Sequence, residues 1–265
     1  MLIVKENGRV RLQNRHGVDY TWRLPEFVEA AQRLNGDFIL DGEACYVNPA
    51  TGQVQFTESQ RRCATQDAGA QMFLRQKYPL VFKAFDIIVY NGTDLTSLPY
   101  MERKMLLSKV VPLSGAIEYV PFRTDIKRFF EEVKARGDEG IIIKRTDSRY
   151  EHERSFNWLK IKNWKDETCN VVGYTPGKNA RTPFFGALVL STDDGKYRGC
   201  VGGGFNDWEL RQVKDLLSDA PKMSPPFDIG EPYTAVKTSL KVEVKHYKAT
   251  ESGVLRFPVF RRVVP

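Results

Sequence analysis

The chain has 265 residues, of which 42% are hydrophobic and 28% charged, a composition typical of a folded protein with a buried core. No apolar run approaches the ~18 residues that a membrane-spanning helix requires, and the N-terminus lacks the pattern of a secretory signal. We therefore expect no membrane partner. The four cysteines are scattered without a CxxC pair, which argues against a zinc ribbon or a disulfide framework and predicts a reducing, cytoplasmic location. The net charge of +7 suits a polyanionic partner such as nucleic acid.

The first part of the chain alternates strand and helix signals. Asn7-Gly8 separates two apolar runs and predicts a hairpin over residues 2–20. Pro25 opens a helix that ends near Leu34, because apolar residues recur between them at helical spacing. Further along, the same patterns predict a strand at 38–40 that continues through 44–47 and further strands at 80–90, 140–144 and 158–162. They also predict helices at 57–64, 99–109 and 125–136.

The pattern changes near Asp166. From there, short β-rich runs alternate with turn signals at 175–177 and 193–195, and one helix-like stretch lies at 207–217. Short strands, frequent turns and one intervening helix are typical of a small barrel. We predict an α+β protein with a boundary at residue 165. Residues 1–165 would form a domain of antiparallel sheets flanked by helices, and residues 166–265 would form a β-barrel.

Lys160 and Lys162 lie on one face of the predicted strand 158–162, since side chains alternate along a strand. Leu159 and Ile161 occupy the opposite face, which we expect to be half-buried. Neighbouring ammonium groups repel each other, so a phosphate between the two lysines would explain the pattern. An exposed edge strand that uses lysines against aggregation is the alternative, and the strand taken alone favours it.

Two acidic segments border predicted strands. Glu139 comes directly before the apolar run 140–144, where Gly140 allows something to approach the backbone closely. Asp41 and Glu43 share one face of the strand that follows the first helix. Carboxylates in such places are reasonable ligands for Mg²⁺, although an acidic turn without a function is the simpler interpretation of each segment alone.

Read in order, these segments resemble the motifs of ATP-dependent DNA ligases, which belong to the covalent nucleotidyltransferases. The similar segments are Leu12–Gly17, Leu40–Glu43 (motif III), Phe82–Asp86 with Asn91-Gly92 (motif IIIa), Glu139–Lys144 (motif IV), Trp158–Lys162 (motif V) and Leu255–Arg262, which leads into motif VI. The resemblance covers essentially the whole chain. It implies a nucleotidyltransferase domain followed by an oligonucleotide-binding barrel, the OB-fold. It also implies a monomer that uses ATP and Mg²⁺ on nicked double-stranded DNA in replication, repair or recombination.

The resemblance implies roles for single residues as well. The nucleotide-binding residues would be Arg15, Glu43, Phe85 and Lys144, with Phe85 stacked on the adenine. The catalytic residues would be Lys160 and Lys162 at the α-phosphate, together with Glu139, and the metal ligands would be Glu139 and Glu43. The DNA contacts would be Arg15, Arg256, Arg261 and Arg262. Lys144 has the opposite strand parity to Glu139, so we expect it to point away from the metal.

A KxDG motif supplies the lysine that attacks ATP in this family, and the 265 residues contain no such tetrapeptide. Lys5-Glu6-Asn7-Gly8 comes closest, but it lies only ten positions before Arg15, about half the separation in the family. We interpret Lys5 as a solvated lysine on a turn. At the other end, residues 263–265 stand where motif VI would continue into RxDK. We therefore expect self-adenylylation to fail in this chain as it stands.

Two other functions share features of this sequence. The motif set also fits mRNA-capping guanylyltransferases and RNA ligases, although the segment 255–262 favours a DNA ligase, and binding of GTP against ATP would separate them. A non-catalytic module that binds nicks or DNA ends would use the basic barrel without chemistry. Only a failure to seal pre-adenylylated nicked DNA would favour that module.

Overall fold

The structure is a computed structural model in which residues 1–250 and 252–264 are described. Pro265, the last of the three residues at the expected place of motif VI, lies outside the described residues. The chain divides into two compact units. The first comprises residues 1–130 and 142–160, and the second comprises residues 131–141 and those from 161 onward. The domain boundary at residue 165 stays a prediction. Within the described residues, no helix is long and apolar enough to span a membrane.

The first unit contains a seven-stranded sheet in its described residues. Its strands are β1 (Leu2–Glu6), β2 (Arg9–Gln13), β3 (Phe38–Val47), β4 (Val54–Gln55), β5 (Leu80–Tyr90), β6 (Thr93–Asp94) and β7 (Ile117–Tyr119). The order is β2-β1-β3-β5-β6, with β4 at the edge of β3 and β7 beside β5. The pairs are antiparallel except β5 with β7, which are parallel.

The predicted hairpin at the start of the chain is confirmed. β1 and β2 pair with Glu6 opposite Arg9, which leaves a two-residue turn at Asn7 and Gly8. Both turn residues have positive φ, 49° and 76°, the conformation that an Asn-Gly pair adopts more readily than other residues.

The helices through residue 135 are α1 (Pro25–Arg33), α2 (Phe56–Ala64), α3 (Ala68–Lys77), α4 (Tyr100–Val110) and α5 (Ile126–Ala135). Of these, α1, α2 and α4 pack against the sheet. α1 begins with Pro25 and buries Phe27 and Ala31, which are one helical turn apart. Phe27 packs edge-on against Phe82 of β5 at 5.7 Å between ring centroids. Burying such a ring contributes about 1.5–3 kcal/mol, so the spacing of these apolar residues holds α1 against the sheet.

A buried ion pair fixes α4 to the sheet. Arg103 of α4 donates two hydrogen bonds to the carboxylate of Asp86 on β5, at 2.9 and 3.0 Å, and neither side chain reaches solvent. The same guanidinium donates to the carbonyl of Ser148 at 3.1 Å. Removing one partner of such a pair costs about 3–5 kcal/mol, so Arg103 is a firm anchor for the loop that contains Ser148.

Two short strands, β8 (Gly140–Lys144) and β9 (Trp158–Lys162), pair with each other and have the bounds predicted from the sequence. The burial expected for β9 is wrong, however. Leu159 is 49% exposed and Ile161 is 38% exposed, so neither belongs to a core. The close backbone approach expected at Gly140 is present, because a Cβ atom there would lie 2.1 Å from the carbonyl oxygen of Ile161.

The second unit contains an antiparallel sheet and one long helix among its described residues. The elements are β10 (Lys165–Pro176), β11 (Phe185–Ser191), β12 (Tyr197–Val201), α6 (Asp207–Ser218), β13 (Thr234–Ala235), β14 (Lys241–His246), β15 (Lys248–Ala249), β16 (Leu255–Arg256) and β17 (Val259–Val264). The main order is β12-β11-β10-β14-β17, with β13 beside β10, and β15 pairs with β16. A bridge between Gly203 and Val259 joins the two ends of this order, as in a barrel.

α6 is the helix predicted within the barrel. Asn206 caps it by accepting a hydrogen bond from the Glu209 backbone, and the Glu209 carboxylate accepts one from the Asn206 backbone in return. Leu210, Val213 and Leu217 form its buried stripe. The turn predicted at 175–177 is misplaced, because β10 extends through Pro176.

Candidate functional site

A cavity of about 720 Å³ lies entirely within the first unit. Four cationic side chains from separate parts of the sequence line it: Arg15, Arg149, Arg154 and Lys160. The remaining walls include residues of β1, β3 and β9 and of the loop 149–155. A cavity of this size can hold a nucleotide-sized ligand, and four cations favour one that contains phosphate.

Arg15 reaches the cavity from a tight turn that follows β2. The side chain of Asn14 accepts hydrogen bonds from the backbone of His16 at 2.8 Å and of Val18 at 3.1 Å, which fixes the turn locally. Arg15 itself is exposed and donates through Nε to His16 Nε2 at 3.1 Å. The turn therefore presents the guanidinium to solvent at the cavity wall.

The loop between β8 and β9 supplies Arg149 and Arg154, and Tyr150 anchors it. The Tyr150 backbone donates to the carbonyl of Thr96 at 2.9 Å, and its hydroxyl donates to Asp41 on β3 at 2.9 Å. Burial raises the pKa of Asp41, while the hydrogen bond from Tyr150 acts in the opposite direction by stabilising the carboxylate. The loop is thus fastened to the sheet at the bottom of the cavity.

Most of the cavity cations have no acidic partner. No carboxylate among the described residues lies within ion-pair distance of Arg149, Arg154 or Lys160, and all three are exposed. Carboxylates do line the cavity at Asp41, Glu151 and Glu153. Asp41 is engaged by Tyr150, and Glu151 accepts a hydrogen bond from Asn157 at 2.7 Å. The cations are therefore available to an anionic ligand.

Beside the cavity, Lys144 of β8 is enclosed by aromatic rings. Its Nζ lies 3.4 Å from the ring centroid of Trp158, 4.6 Å from that of Phe85 and 4.9 Å from that of Tyr100. The nitrogen is inaccessible to solvent and has no hydrogen-bond acceptor among the described residues. Burial lowers the pKa of Lys144 to about 7. The three ring faces attract the ammonium form and offset part of that desolvation.

The aromatic rings around Lys144 link it to the cavity. Phe85 and Trp158 meet edge to face at 5.9 Å, and Trp158 also lines the cavity. Of the nucleotide-binding residues that the sequence predicted, Arg15 lines the cavity directly, and Phe85 and Lys144 pack against a residue that does. Their predicted roles stay predictions.

Glu43 does not line the cavity, and its predicted role stays a prediction. It is exposed on β3 opposite Lys83 and is not among the described residues that line the cavity. Asp41, two residues earlier on the same face of β3, lines the cavity instead. Of the two carboxylates that share this face of β3, only Asp41 therefore reaches the cavity.

Glu139 and Lys162 lie in the second unit. Glu139 is exposed in the turn before β8, and its carbonyl accepts a hydrogen bond from the Asn163 backbone at 2.9 Å. Lys162 Nζ lies 5.0 Å from the ring of Trp164 and 5.3 Å from that of Tyr247. The structure thus gives Lys162 aromatic neighbours within its own unit.

The predicted DNA-binding arginines of β17 are exposed but paired. Arg262 donates to Glu243 at 2.8 Å, and Arg261 lies 3.8 Å from Asp166 and 3.9 Å from Glu243. The hydrogen bond from Arg262 lowers the pKa of Glu243, which keeps that carboxylate charged. The guanidinium carbon of Arg256 lies over the ring of Phe257, 5.6 Å from the ring centroid.

Sequence reasoning missed Arg149, Tyr150 and Arg154. They lie between two predicted strands, in the stretch 145–157, whose sequence has no periodicity. The only signal in that stretch is its composition, since four of its residues have basic side chains: Arg145, Arg149, His152 and Arg154. The prediction that Lys5 is a solvated lysine on the turn is wrong, because Lys5 lies within β1, is half-buried and donates to the carbonyl of Leu34 at 2.5 Å.

Comparisons with known proteins place this geometry in a family. Residues 1–162 match the family model of the ATP dependent DNA ligase domain, and residues 181–264 match that of the ATP dependent DNA ligase C terminal region. The chain is similar to the multifunctional non-homologous end joining protein LigD of Mycolicibacterium smegmatis, with 28% identity over 276 residues that cover 100% of this chain and 34% of that protein. It is also 31% identical over 280 residues to a probable DNA ligase of Dictyoglomus turgidum, covering 95% of this chain and 47% of that protein.

Solved structures give the same result. The ligase domain of LigD from M. tuberculosis has a TM-score of 0.54 at 26% identity, over 100% of this chain and 85% of that chain. A Lig E DNA ligase has a TM-score of 0.67 at 19% identity, over 99% of this chain and 89% of that chain, which shows a shared fold. The predicted α+β fold with an OB-fold is confirmed.

The matches cover nearly all of this chain but only part of each curated relative. The chain spans between about a third and a half of the length of the two curated relatives described above. The model of the ligase domain nevertheless covers more than half of the 265 residues. The chain therefore belongs to the ATP-dependent DNA ligase family.

Proposed function

We propose that this chain seals nicks in duplex DNA through adenylylated intermediates, with ATP and Mg²⁺ as cofactors and with the cavity of the first unit as the nucleotide site. One observation carries the proposal. Cations from three separate segments, two of which were identified as family motifs, converge on a single cavity without acidic partners. Because like charges repel, grouping these cations destabilises the fold, whereas a polyphosphate bound among them would be stabilised.

The residues at the cavity fit a nucleotide. Arg15 and Lys160 stand on its walls and would bind phosphate oxygens, while the ring of Trp158, backed by Lys144 and Phe85, offers an aromatic surface to a base. Lys160 would neutralise the charge that develops on the phosphate as the DNA 3′-hydroxyl attacks it. Tyr150 and Asp41 would hold the loop in place during this step.

Mg²⁺ fits the donor set only in part. Among the described residues there is no group of three or more His, Cys, Asp or Glu side chains that could hold a metal. Mg²⁺ commonly needs only one or two protein carboxylates beside substrate phosphates, however. We propose that each of the two carboxylates predicted from the sequence, Glu43 in the first unit and Glu139 in the second, is able to supply one such ligand. The ion would supply charge neutralisation at the phosphates.

Self-adenylylation is the step that we propose these 265 residues do not perform. They contain no KxDG tetrapeptide, and Lys5 of the similar KENG segment donates to main-chain carbonyls at the end of α1. Incubation with ATP and Mg²⁺ followed by intact mass spectrometry tests this step directly. A stable adduct of one AMP would show that a nucleophile is present.

The ligation step itself is tested with pre-adenylylated nicked duplex DNA in the absence of ATP. We expect the chain to seal it and Lys160→Ala to seal it at least about 100-fold more slowly, as on loss of a group that stabilises transition-state charge. A Lys109→Ala variant, which alters an exposed lysine of α4, is the matched control. No sealing by the unaltered chain would contradict the proposal and would favour the non-catalytic module that binds nicks.

Finer features of the proposal remain predictions. We expect the chain to act as a monomer and in the cytoplasm, and to serve DNA repair, replication or recombination. The match to ligase family models favours ATP over GTP as the nucleotide. Competition of the two nucleotides for the cavity, followed by quenching of the Trp158 fluorescence, measures that preference.

A further inference from the structure

Phe156 is the most exposed large hydrophobic side chain among the described residues. Its exposure is 94%, compared with 71% for Met72, the next in rank. It lies in the loop between β8 and β9, directly after Arg154 and Ser155, both of which line the cavity. A full aromatic ring in water is unfavourable by about 1.5–3 kcal/mol relative to a buried one, so the fold gains nothing from this residue.

The backbone around Phe156 is held in place although its ring is not. The Asn157 backbone donates to the hydroxyl of Ser155 at 3.2 Å, and the Asn157 carbonyl accepts a hydrogen bond from the Arg145 backbone at 2.9 Å. The amide of Asn157 donates to Glu151 at 2.7 Å. Phe156 is therefore displayed from an anchored loop and not from a loose terminus.

We propose that Phe156 is a DNA contact at the rim of the cavity, where its ring packs on a base or sugar bordering the nick. This inference rests on the proposed function. Arg149 and Arg154 belong to the same loop and would bind backbone phosphates, since no carboxylate among the described residues lies within ion-pair distance of either. An aromatic ring and unpaired cations on one loop can contact both the base or sugar and the phosphate of a nucleotide.

The surroundings of the ring favour nucleic acid over a protein partner. Its neighbours in the preceding stretch of the loop, from Glu151 through Ser155, are polar or charged. A protein interface of useful affinity needs a broader apolar patch around such an anchor. A nick, in contrast, interrupts one strand and exposes the edge of a base or sugar, on which one aromatic side chain can pack.

The test compares binding of nicked duplex DNA by the unaltered chain and by Phe156→Ala, measured by fluorescence anisotropy over a series of salt concentrations. Base–aromatic stacking is worth about 1–3 kcal/mol, so we expect about tenfold weaker binding by the variant. The dependence on salt should be unchanged, because no charge is removed, whereas Arg154→Ala should make it shallower. Phe156→Trp should bind as tightly as the unaltered chain.

The control is Phe73→Ala, which removes another exposed phenylalanine of the first unit, from α3. A second readout uses 2-aminopurine beside the nick, whose fluorescence should be quenched by the unaltered chain and less by Phe156→Ala. If Phe156→Ala binds and quenches as well as the unaltered chain, the inference about Phe156 is wrong and the ligase proposal stands. If the unaltered chain does not bind nicked DNA, both are wrong.

Discussion

The cations of the cavity and the cations of β17 are of the same type and are similarly exposed, yet they face different surroundings. Arg149, Arg154 and Lys160 have no carboxylate within ion-pair distance among the described residues. Arg261 and Arg262 share Glu243, and Arg261 also lies near Asp166. The sequence assigned DNA binding to the arginines of β17 and overlooked those of the loop. A positive charge predicts a phosphate contact only when the fold leaves it unpaired.

The largest expected effect separates the two groups on DNA. The double variant Arg149→Ala, Arg154→Ala should bind nicked duplex about 100-fold more weakly, because each charge-assisted contact is worth about 1.5 kcal/mol or more. The double variant Arg261→Ala, Arg262→Ala should lose less than about threefold, since those side chains already have partners within the protein.

Anisotropy titrations at several salt concentrations measure both double variants. The slope of log affinity against log salt should fall by about 2 for the loop variant and change little for the β17 variant, as counterion release predicts. The opposite ranking of the two variants would show that the ion pairs of β17 open when DNA binds. The comparison between unpaired and paired cations would then fail.

Lys144 is a third kind of cation, buried and not exposed, and we expect its charge to affect the stability of the fold. Burial lowers the pKa of Lys144 to about 7, whereas lysine in an unfolded chain titrates near 10.5. Between these values the unfolded chain holds the proton and the folded chain does not, so the free energy of unfolding rises with pH across that window. Below about pH 7 both states are protonated, and the contribution no longer changes with pH.

Lys144→Met should remove this rise, since methionine fills the same space among the rings without a charge. From about pH 7 to pH 9, the free energy of unfolding of the unaltered chain should rise, relative to that of the variant, by on the order of 2 kcal/mol. Urea denaturation across this pH range measures it, with Lys109→Met as the control. A difference that stays constant with pH would mean that the aromatic rings keep Lys144 charged throughout.

Much of the fold follows from local patterns. The Asn7-Gly8 hairpin, α1 and the bounds of β5, β8 and β9 were predicted because turn chemistry and apolar spacing are local properties. α3 was missed because its apolar residues do not form one stripe. Met72 and Phe73 are exposed there, while the polar Gln71 is buried. β7 was missed as well, since three residues carry too little pattern.

The site follows from the sequence less completely, for a physical reason. The surroundings of Lys144 come from β5, α4 and β9, which are far apart in the sequence, so no local pattern could show that three rings enclose it. The roles of Arg149 and Arg154 depend on the fastening of Tyr150 to Asp41, which are 109 positions apart. Strand periodicity predicted which face of a strand each lysine occupies, but it could not predict which side chains from other elements pack against that face.

The smallest expected effect comes from a variant that turns the paired arginines of β17 into unpaired ones, like those of the cavity. In Glu243→Gln the shape of the side chain is kept while its charge is lost, so Arg261 and Arg262 lose the carboxylate they share. Exposed ion pairs are worth about 0.2–1 kcal/mol, and releasing these two arginines should therefore raise the affinity for nicked DNA by about threefold. The gain should appear at low salt and fade as salt rises.

Asp215→Asn is the matched control, because it removes one negative charge from the exposed face of α6 in the same unit. If both variants gain equally, the gain reflects only the added net positive charge and pairing by Glu243 has no part in it. If only Glu243→Gln gains, the arginines of β17 are able to bind DNA and are restrained by their partner. The difference between the cavity and β17 would then lie in one carboxylate and not in the arginines themselves.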